Sequence, residues 1–233
     1  MNAIEALGTF TGETLGKTLL GYFRSKAEHL RVDVSGIENV RELAGHSYLL
    51  VANHTKPRGA ILTSSGLAPD ALILERIIHE HTGRQLKVVA KSDKGQWVIR
   101  PLQRIFQQPF GQGLKKAMGF IPVRINPGSY NRDFVEAFET ETEAGNPILI
   151  FPQGLYWTKD FNDDIEMKDG AAAMALKCHL PIVPSYLQGA DSWETGHEVK
   201  LLFGKHFETA GLSKQDIGAL IKRTILDLKK EAK

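Results

Sequence analysis

The sequence predicts an α/β fold: a single layered domain with a mainly parallel central sheet flanked by helices, and amphipathic helices at the N-terminus. Three observations predict it. Short apolar runs such as Leu49-Leu50-Val51-Ala52 recur along the chain and are continuous rather than alternating, as strands buried on both faces require. Stretches with helical spacing stand between them, and strands alternating with helices build a parallel sheet with crossover helices. Finally, no internal repeat, linker or low-complexity tract divides the 233 residues. Of these residues 42% are hydrophobic and 24% charged, proportions that allow a substantial core.

Taken in order, Met1 to Leu30 carries Ile4, Leu7, Phe10, Leu15, Leu19, Leu20, Phe23 and Leu30. Their spacing suits amphipathic helix better than strand, although Gly8, Gly12, Gly16 and Gly21 weaken it. One or two packing helices are expected, within an N-terminal helical region over 1–45. A core over 46–205 follows. Ser47 to Ala52 reads as a buried strand whose end delivers the polar pair Asn53-His54, and a helix is predicted over Pro69 to His81. Further strands are predicted at Leu86–Ala90, Ile121–Ile125, Pro147–Phe151, Pro181–Leu187 and Val199–Phe203, with helices at Phe134–Ala144 and Ala171–His179. A last amphipathic helix, Lys214–Lys230, closes the chain over 206–233. In such a sheet the ligand site is expected at the carboxyl ends of the strands.

Composition sets limits on function. No apolar run approaches the roughly eighteen residues of a spanning helix; the run Thr18 to Phe23 is soon followed by Arg24, Lys26 and Glu28. The N-terminus lacks the charged start, apolar centre and small-residue site of a secretory signal, so a cytoplasmic location is expected. The lone Cys178 excludes an internal disulfide and a multi-cysteine zinc site, and its expected role is helix packing. The net charge of +2 hides segregation. Arg84, Lys87, Lys91, Lys94, Arg100, Arg104, Lys115, Lys116 and Arg124 face only Asp93 within their own segment, whereas Asp133 to Asp169 is acid-rich. The basic segment suits an anion, and two solvated faces account for it equally well.

Several motifs fail on their spacing. Gly12-Glu13-Thr14-Leu15-Gly16-Lys17-Thr18 resembles a phosphate-binding loop, but Thr11 stands where the first glycine belongs. His79-Glu80-His81 places its histidines on different helix faces, which suits a solvated helix end rather than a metal site. No G-x-S-x-G elbow exists, and Ser64-Ser65-Gly66 reads as loop.

Four segments remain, in order along the chain. They are Val51-Ala52-Asn53-His54-Thr55, Gly119-Phe120-Ile121-Pro122-Val123-Arg124, Ile150-Phe151-Pro152-Gln153-Gly154 and Leu180-Pro181-Ile182-Val183-Pro184. Together they resemble the blocks of the glycerolipid acyltransferase superfamily, and the chain looks like an acylglycerol-phosphate or glycerol-3-phosphate O-acyltransferase. Two departures stand out. In the family an aspartate follows the first-block histidine after four residues, where this chain has Gly59; the first acid downstream is Asp70. A bulge between Thr55 and Pro69 would let Asp70, at a helix start, return to the far nitrogen of His54 and fix its tautomer. In the third block Gln153 replaces the family's glutamate, keeping hydrogen bonds but losing charge. Lys168-Asp169-Gly170-Ala171-Ala172-Ala173 resembles the family's helix start, with Gly170 and the alanines allowing close packing.

The resemblance implies transfer of a fatty acyl group from an acyl-CoA or acyl-carrier-protein thioester to the hydroxyl of a glycerol-phosphate or lysophospholipid acceptor. His54 is the implied general base and Asp70 its partner. Arg124 is the implied phosphate ligand, its guanidinium fork matching two phosphate oxygens; a surface arginine is the plainer reading. Lys91, Lys56 and Arg58 are further phosphate candidates, and Gln153 and Gly154 are placed at the acceptor. No cofactor or metal is implied beyond the thioester co-substrate. Partners would be the acyl donor, acyl carrier protein, the phosphate-bearing lipid and the inner face of a membrane bound peripherally. The N-terminal region could bind that surface, as could Trp97, Ile99, Leu102, Ile105, Phe106 and Phe110 among Lys94, Arg100 and Arg104, though a core would also use these apolar residues. Two rival readings stand beside it: a catalytically impaired lipid-binding member of the same fold, and a nucleic-acid-binding module, for which no binding motif appears.

Overall fold

A computed structural model of the chain describes residues 3–55, 69–91, 117, 119–123, 131–154, 161–192 and 196–232, with backbone alone for 3–10, 19, 23, 26 and 91. The elements in chain order are α1 (Ala3–Glu28), β1 (Arg31–Ser35), α2 (Glu38–Arg41), β2 (Leu49–Ala52), α3 (Pro69–Thr82), β3 (Lys87–Lys91) and β4 (Phe120–Val123). They continue with α4 (Arg132–Glu143), β5 (Ile148–Ile150), α5 (Gly170–Lys177), β6 (Ile182–Gln188), β7 (Glu198–Phe203) and α6 (Lys214–Glu231). The predicted strands and helices within the described residues form, with ends shifted by a few residues.

The seven strands among the described residues join one sheet in the order β1-β7-β6-β2-β5-β3-β4. Every neighbouring pair is parallel except β6 and β7. The sheet is therefore mixed and mainly parallel, as the continuous apolar runs imply. Strands β2 to β6 share one direction, so the carboxyl ends of β2, β3, β4, β5 and β6 lie along one edge of the sheet.

Alternate residues of β2 serve opposite faces. Leu49 and Val51 belong to one core with Phe134 and Phe138 of α4, Ala171 and Met174 of α5, and Ile217, Ile221 and Ile225 of α6. Leu50 and Ala52 belong to a second core with Ile73, Leu74, Ile77 and Ile78 of α3. Chain leaving β2 thus crosses one face through α3, while chain leaving β5 crosses the other through α5. Connections from the adjacent strands β2 and β5 thus depart to opposite faces, and this is the position at which open α/β sheets bind ligands.

The N-terminal region corrects one expectation. It is not wholly helical: α1 is a single helix, and Arg31–Ser35 is a strand at the sheet's edge. β1 pairs in parallel with β7, Arg31 opposite Glu198. Its residues Arg31-Val32-Asp33-Val34-Ser35 alternate exposed and partly buried. Half-covered edge strands show period-two patterning instead of a continuous apolar run. The loop-like motif Gly12 to Thr18 lies inside α1. That helix is clamped to α3: the Arg24 guanidinium donates through Nε to Glu75 Oε2 at 2.9 Å and through Nη2 to Oε1, and Arg76 donates to the Ala27 carbonyl.

A second correction concerns Gly170. A methyl group built there would meet nothing within 4 Å, so this glycine does not create a close approach. The packing role falls to Ala171, Ala172 and Ala175, which are buried. Cys178, just past α5, packs partly buried against the same core, and burial pushes its thiol up.

Candidate active site

The site begins where β2 stops pairing as a strand. Asn53 follows Ala52, and its amide takes over the ladder: Nδ2 donates to the Leu187 carbonyl at 2.9 Å while Leu187 N–H donates to Oδ1 at 2.7 Å. A side-chain amide offers the same donor and acceptor as a peptide group, so it extends the β2–β6 pairing by one step. Ser185 Oγ donates to the Val51 carbonyl at 3.2 Å, and Thr55 Oγ1 to the Ala190 carbonyl at 3.3 Å. Val51, Asn53 and Thr55 are thereby tied to β6 and the chain that follows it, and the intervening His54 bonds toward the β5 side.

Three groups hold His54. The Asp70 carboxylate lies 2.7 Å from its Nδ1. The Phe151 ring stacks on the imidazole, with centroids 3.9 Å apart and planes 17° off parallel. Gln153 Oε1 accepts the His54 backbone N–H at 2.6 Å. Asp70 is fully buried, while the His54 side chain keeps 13% of its surface exposed. One partner of the pair is thus sealed and the other still reaches solvent.

Asp70 stands in the first turn of α3, which opens with Pro69. Proline suits a first helical position because its missing N–H has no helical partner there, and a carboxylate suits the positive end of the helix dipole. Its Oδ2 also accepts Thr55 N–H at 3.0 Å and its Oδ1 accepts Ala71 N–H at 2.8 Å. These donors satisfy a charge that burial would otherwise penalise. An ionised carboxylate only accepts, so opposite an ionised Asp70 the His54 ring donates through Nδ1 and keeps Nε2 as its acceptor nitrogen.

Phe151 to Gly154 form the turn after β5. Gly154 N–H donates to the Phe151 carbonyl at 2.9 Å, and Gly154 adopts φ +71°, a conformation that side chains resist. Lys168 N–H donates to the Pro152 carbonyl at 2.7 Å, pinning the turn to the segment ahead of α5. Gln153 is buried in it.

Of the residues singled out from sequence, the structure brings together His54, Asp70, Gln153 and Gly154. Lys91 ends β3 on the same sheet edge. Lys56, Arg58, Gly59, Arg124 and the aromatic segment Trp97 to Phe110 lie outside the described residues. Sequence reasoning assigned no role to Phe151, Asn53 or Thr55. A polar asparagine after an apolar run was the one available sign of Asn53; nothing in the sequence marks Phe151 as a ring partner. His79 and His81 sit in the last turn of α3, where Arg41 contacts His81 at 2.9 Å.

The pair of His54 and the buried Asp70 thus stands at the carboxyl ends of parallel strands. The model of the family described as Acyltransferase matches residues 31–188, and the chain belongs to that family. The fold agrees with a crystal structure of the 1-acyl-sn-glycerophosphate (LPA) acyltransferase PlsC from Thermotoga maritima. The TM-score is 0.61 over 95% of this chain and 83% of that one, at 14% identity. No curated protein matches the sequence.

Proposed function

We propose that this acyltransferase moves a fatty acyl group from an acyl-CoA or acyl-carrier-protein thioester to the hydroxyl of a glycerol-phosphate or lysophospholipid acceptor, with His54 as general base. The observation that carries the proposal is the 2.7 Å contact between His54 Nδ1 and a fully buried Asp70. An alcohol is almost wholly protonated at neutral pH and attacks a thioester slowly. A base at His54 Nε2 takes its proton as the oxygen adds to the carbonyl, and the thiol then leaves with a proton returned from the imidazolium. The buried carboxylate holds the ring in the required tautomer and offsets the imidazolium charge while it exists. No covalent acyl-enzyme is needed.

The acceptor's phosphate is assigned to Arg124, with Lys91, Lys56 and Arg58 as further cations, because a guanidinium fork and ammonium groups offset and hydrogen-bond phosphate oxygens. Gln153 and Gly154 lie in the turn after β5, beside His54, and Gln153 adds no second negative charge. Glycerolipid acylation belongs to phospholipid synthesis, and the similarity to the Thermotoga maritima LPA acyltransferase supports that setting. No helix among the described residues is long and apolar enough to cross a membrane. Leu15 and Tyr22 of α1 are exposed large hydrophobic residues, which favours contact with a bilayer surface through α1.

The test is thiol release from a panel of acyl thioesters, with and without lysophosphatidic acid, comparing wild type with His54→Ala. Acceptor-dependent release that vanishes in the variant is expected. A folded wild type that binds anionic vesicles yet releases no thiol would overturn the proposal in favour of a lipid-binding role.

A further inference from the structure

We propose that Gln153 acts as a positioning residue for His54, through its side-chain oxygen, rather than as an acceptor ligand. The inference rests on His54 being the base of the acyl transfer proposed above. Three observations carry it. Gln153 Oε1 lies 2.6 Å from His54 N, so the oxygen that could have met a substrate hydroxyl is engaged by the protein backbone. Gln153 is only 6% exposed, which leaves its side chain little access to a ligand. The residue sits in a pinned turn, held by the Gly154 to Phe151 and Lys168 to Pro152 backbone bonds, so its oxygen is fixed relative to the sheet.

The contact matters because of what happens at position 54. The β2–β5 ladder ends with Val51 opposite Ile150. Gln153 replaces the missing ladder bond with a side-chain one at the residue that bears the base. Asp70 fixes the direction of the ring and Thr55 N–H; Gln153 fixes the backbone from which that ring projects. Neither substitutes for the other, since a ring can turn correctly on a displaced backbone. Proton transfer depends on sub-ångström placement of the imidazole, so loosening the backbone lowers turnover while leaving substrate affinity largely in place.

The experiment uses Gln153→Met, which keeps length and loses the acceptor, and Gln153→Glu, which keeps an acceptor oxygen. Two readouts apply to wild type and both variants: hydrogen–deuterium exchange of a peptide spanning Ser47 to Thr55, and steady-state thiol release with long-chain acyl-CoA and lysophosphatidic acid. Thermal melting confirms folding. Gln153→Met is expected to expose the His54 amide to exchange and to lower kcat roughly ten- to a hundredfold with KM within about threefold. Gln153→Glu is expected to restore protection and most of kcat. Unchanged exchange in Gln153→Met overturns the backbone bond. A raised KM with kcat intact, or equal loss in both variants, overturns positioning in favour of substrate contact by the amide. A wild type that releases no thiol while the exchange contrast holds overturns the acyl-transfer reading, and the catalytic part of this one with it.

Discussion

Asp70 Oδ2 lies 2.7 Å from His54 Nδ1 across a sequence separation of 16 residues, and the same oxygen accepts the Thr55 backbone N–H at 3.0 Å. One buried carboxylate therefore orients a ring and the chain that follows it. Asp70→Asn keeps the shape but offers the ring a group that can present either a donor or an acceptor. Turnover is expected to fall on the order of a hundred- to ten-thousandfold, with substrate KM little changed. Steady-state thiol release measures this, and a variant within about threefold of wild type would remove Asp70 from the mechanism.

Phe151 contributes differently. Its stacked ring closes one side of the imidazole at 3.9 Å without donating or accepting a hydrogen bond. Phe151→Leu retains apolar bulk but loses the flat surface. A fall in kcat of about tenfold is expected, with acceptor KM unchanged, because the ring gains a direction in which to tilt. Equal kcat in variant and wild type would show that the imidazole needs no stacking partner.

At the other end of β2, Tyr48 is 1% exposed and its hydroxyl has no hydrogen-bond partner among the described residues. Burial pushes its phenol well above the usual range. Removing an unsatisfied hydroxyl while keeping the ring relieves its desolvation cost, so Tyr48→Phe is expected to leave stability unchanged or raise it by about 1 kcal/mol. Urea denaturation gives the answer; a loss above about 1 kcal/mol would mean that the hydroxyl has a partner, such as a buried water.

The α1–α3 clamp is a buried charge pair with unequal exposure: Glu75 is 2% exposed, Arg24 27%. Arg24→Met strands the carboxylate and is expected to cost about 3 kcal/mol, whereas Arg24→Met with Glu75→Met recovers most of it. Additive losses in the double variant would argue against a coupled pair.

Helix α6 carries a capping box, in which Ser213 Oγ accepts Asp216 N–H at 3.2 Å and the Asp216 side chain returns to Ser213 N–H at 3.2 Å. The hydrogen bond from the Ser213 side chain, then that from its backbone, lowers the Asp216 carboxyl below its ordinary value. A depressed carboxyl contributes stability above its unfolded pKa, near pH 4, and loses it as pH falls through the folded value. Ser213→Ala should cost about 1 kcal/mol near neutrality. That difference should shrink below about pH 4, and chemical denaturation across pH would expose a constant difference.

The apolar runs at Leu49–Ala52, Ile148–Ile150 and Ile182–Leu187 and the helical spacing of Phe134 and Phe138 were legible because each arises from how one residue meets its local surroundings, with a period of 2 or 3.6. His54 was legible for a related reason: a polar residue at the end of a buried run must emerge at the sheet edge. Gly170 was misread because glycine before a run of alanines signals close packing only if a neighbour is there, and none is.

Thus the sequence by itself determined most of the element types, the mainly parallel sheet and the strand end that bears His54. Tertiary structure decided that Arg31–Ser35 is a strand, because its partner Glu198–Phe203 is remote in the chain and its pattern is too weak to read alone. It also decided that β7 runs against β6 and that Gln153 turns its oxygen onto a backbone N–H, and it shows the contact between Asp70 and His54 that the sequence offered only through the resemblance and a bulged loop. Local periodicity records only which side of an element is buried. Which distant donor meets which acceptor is settled when the layers close and each buried polar group must find a partner.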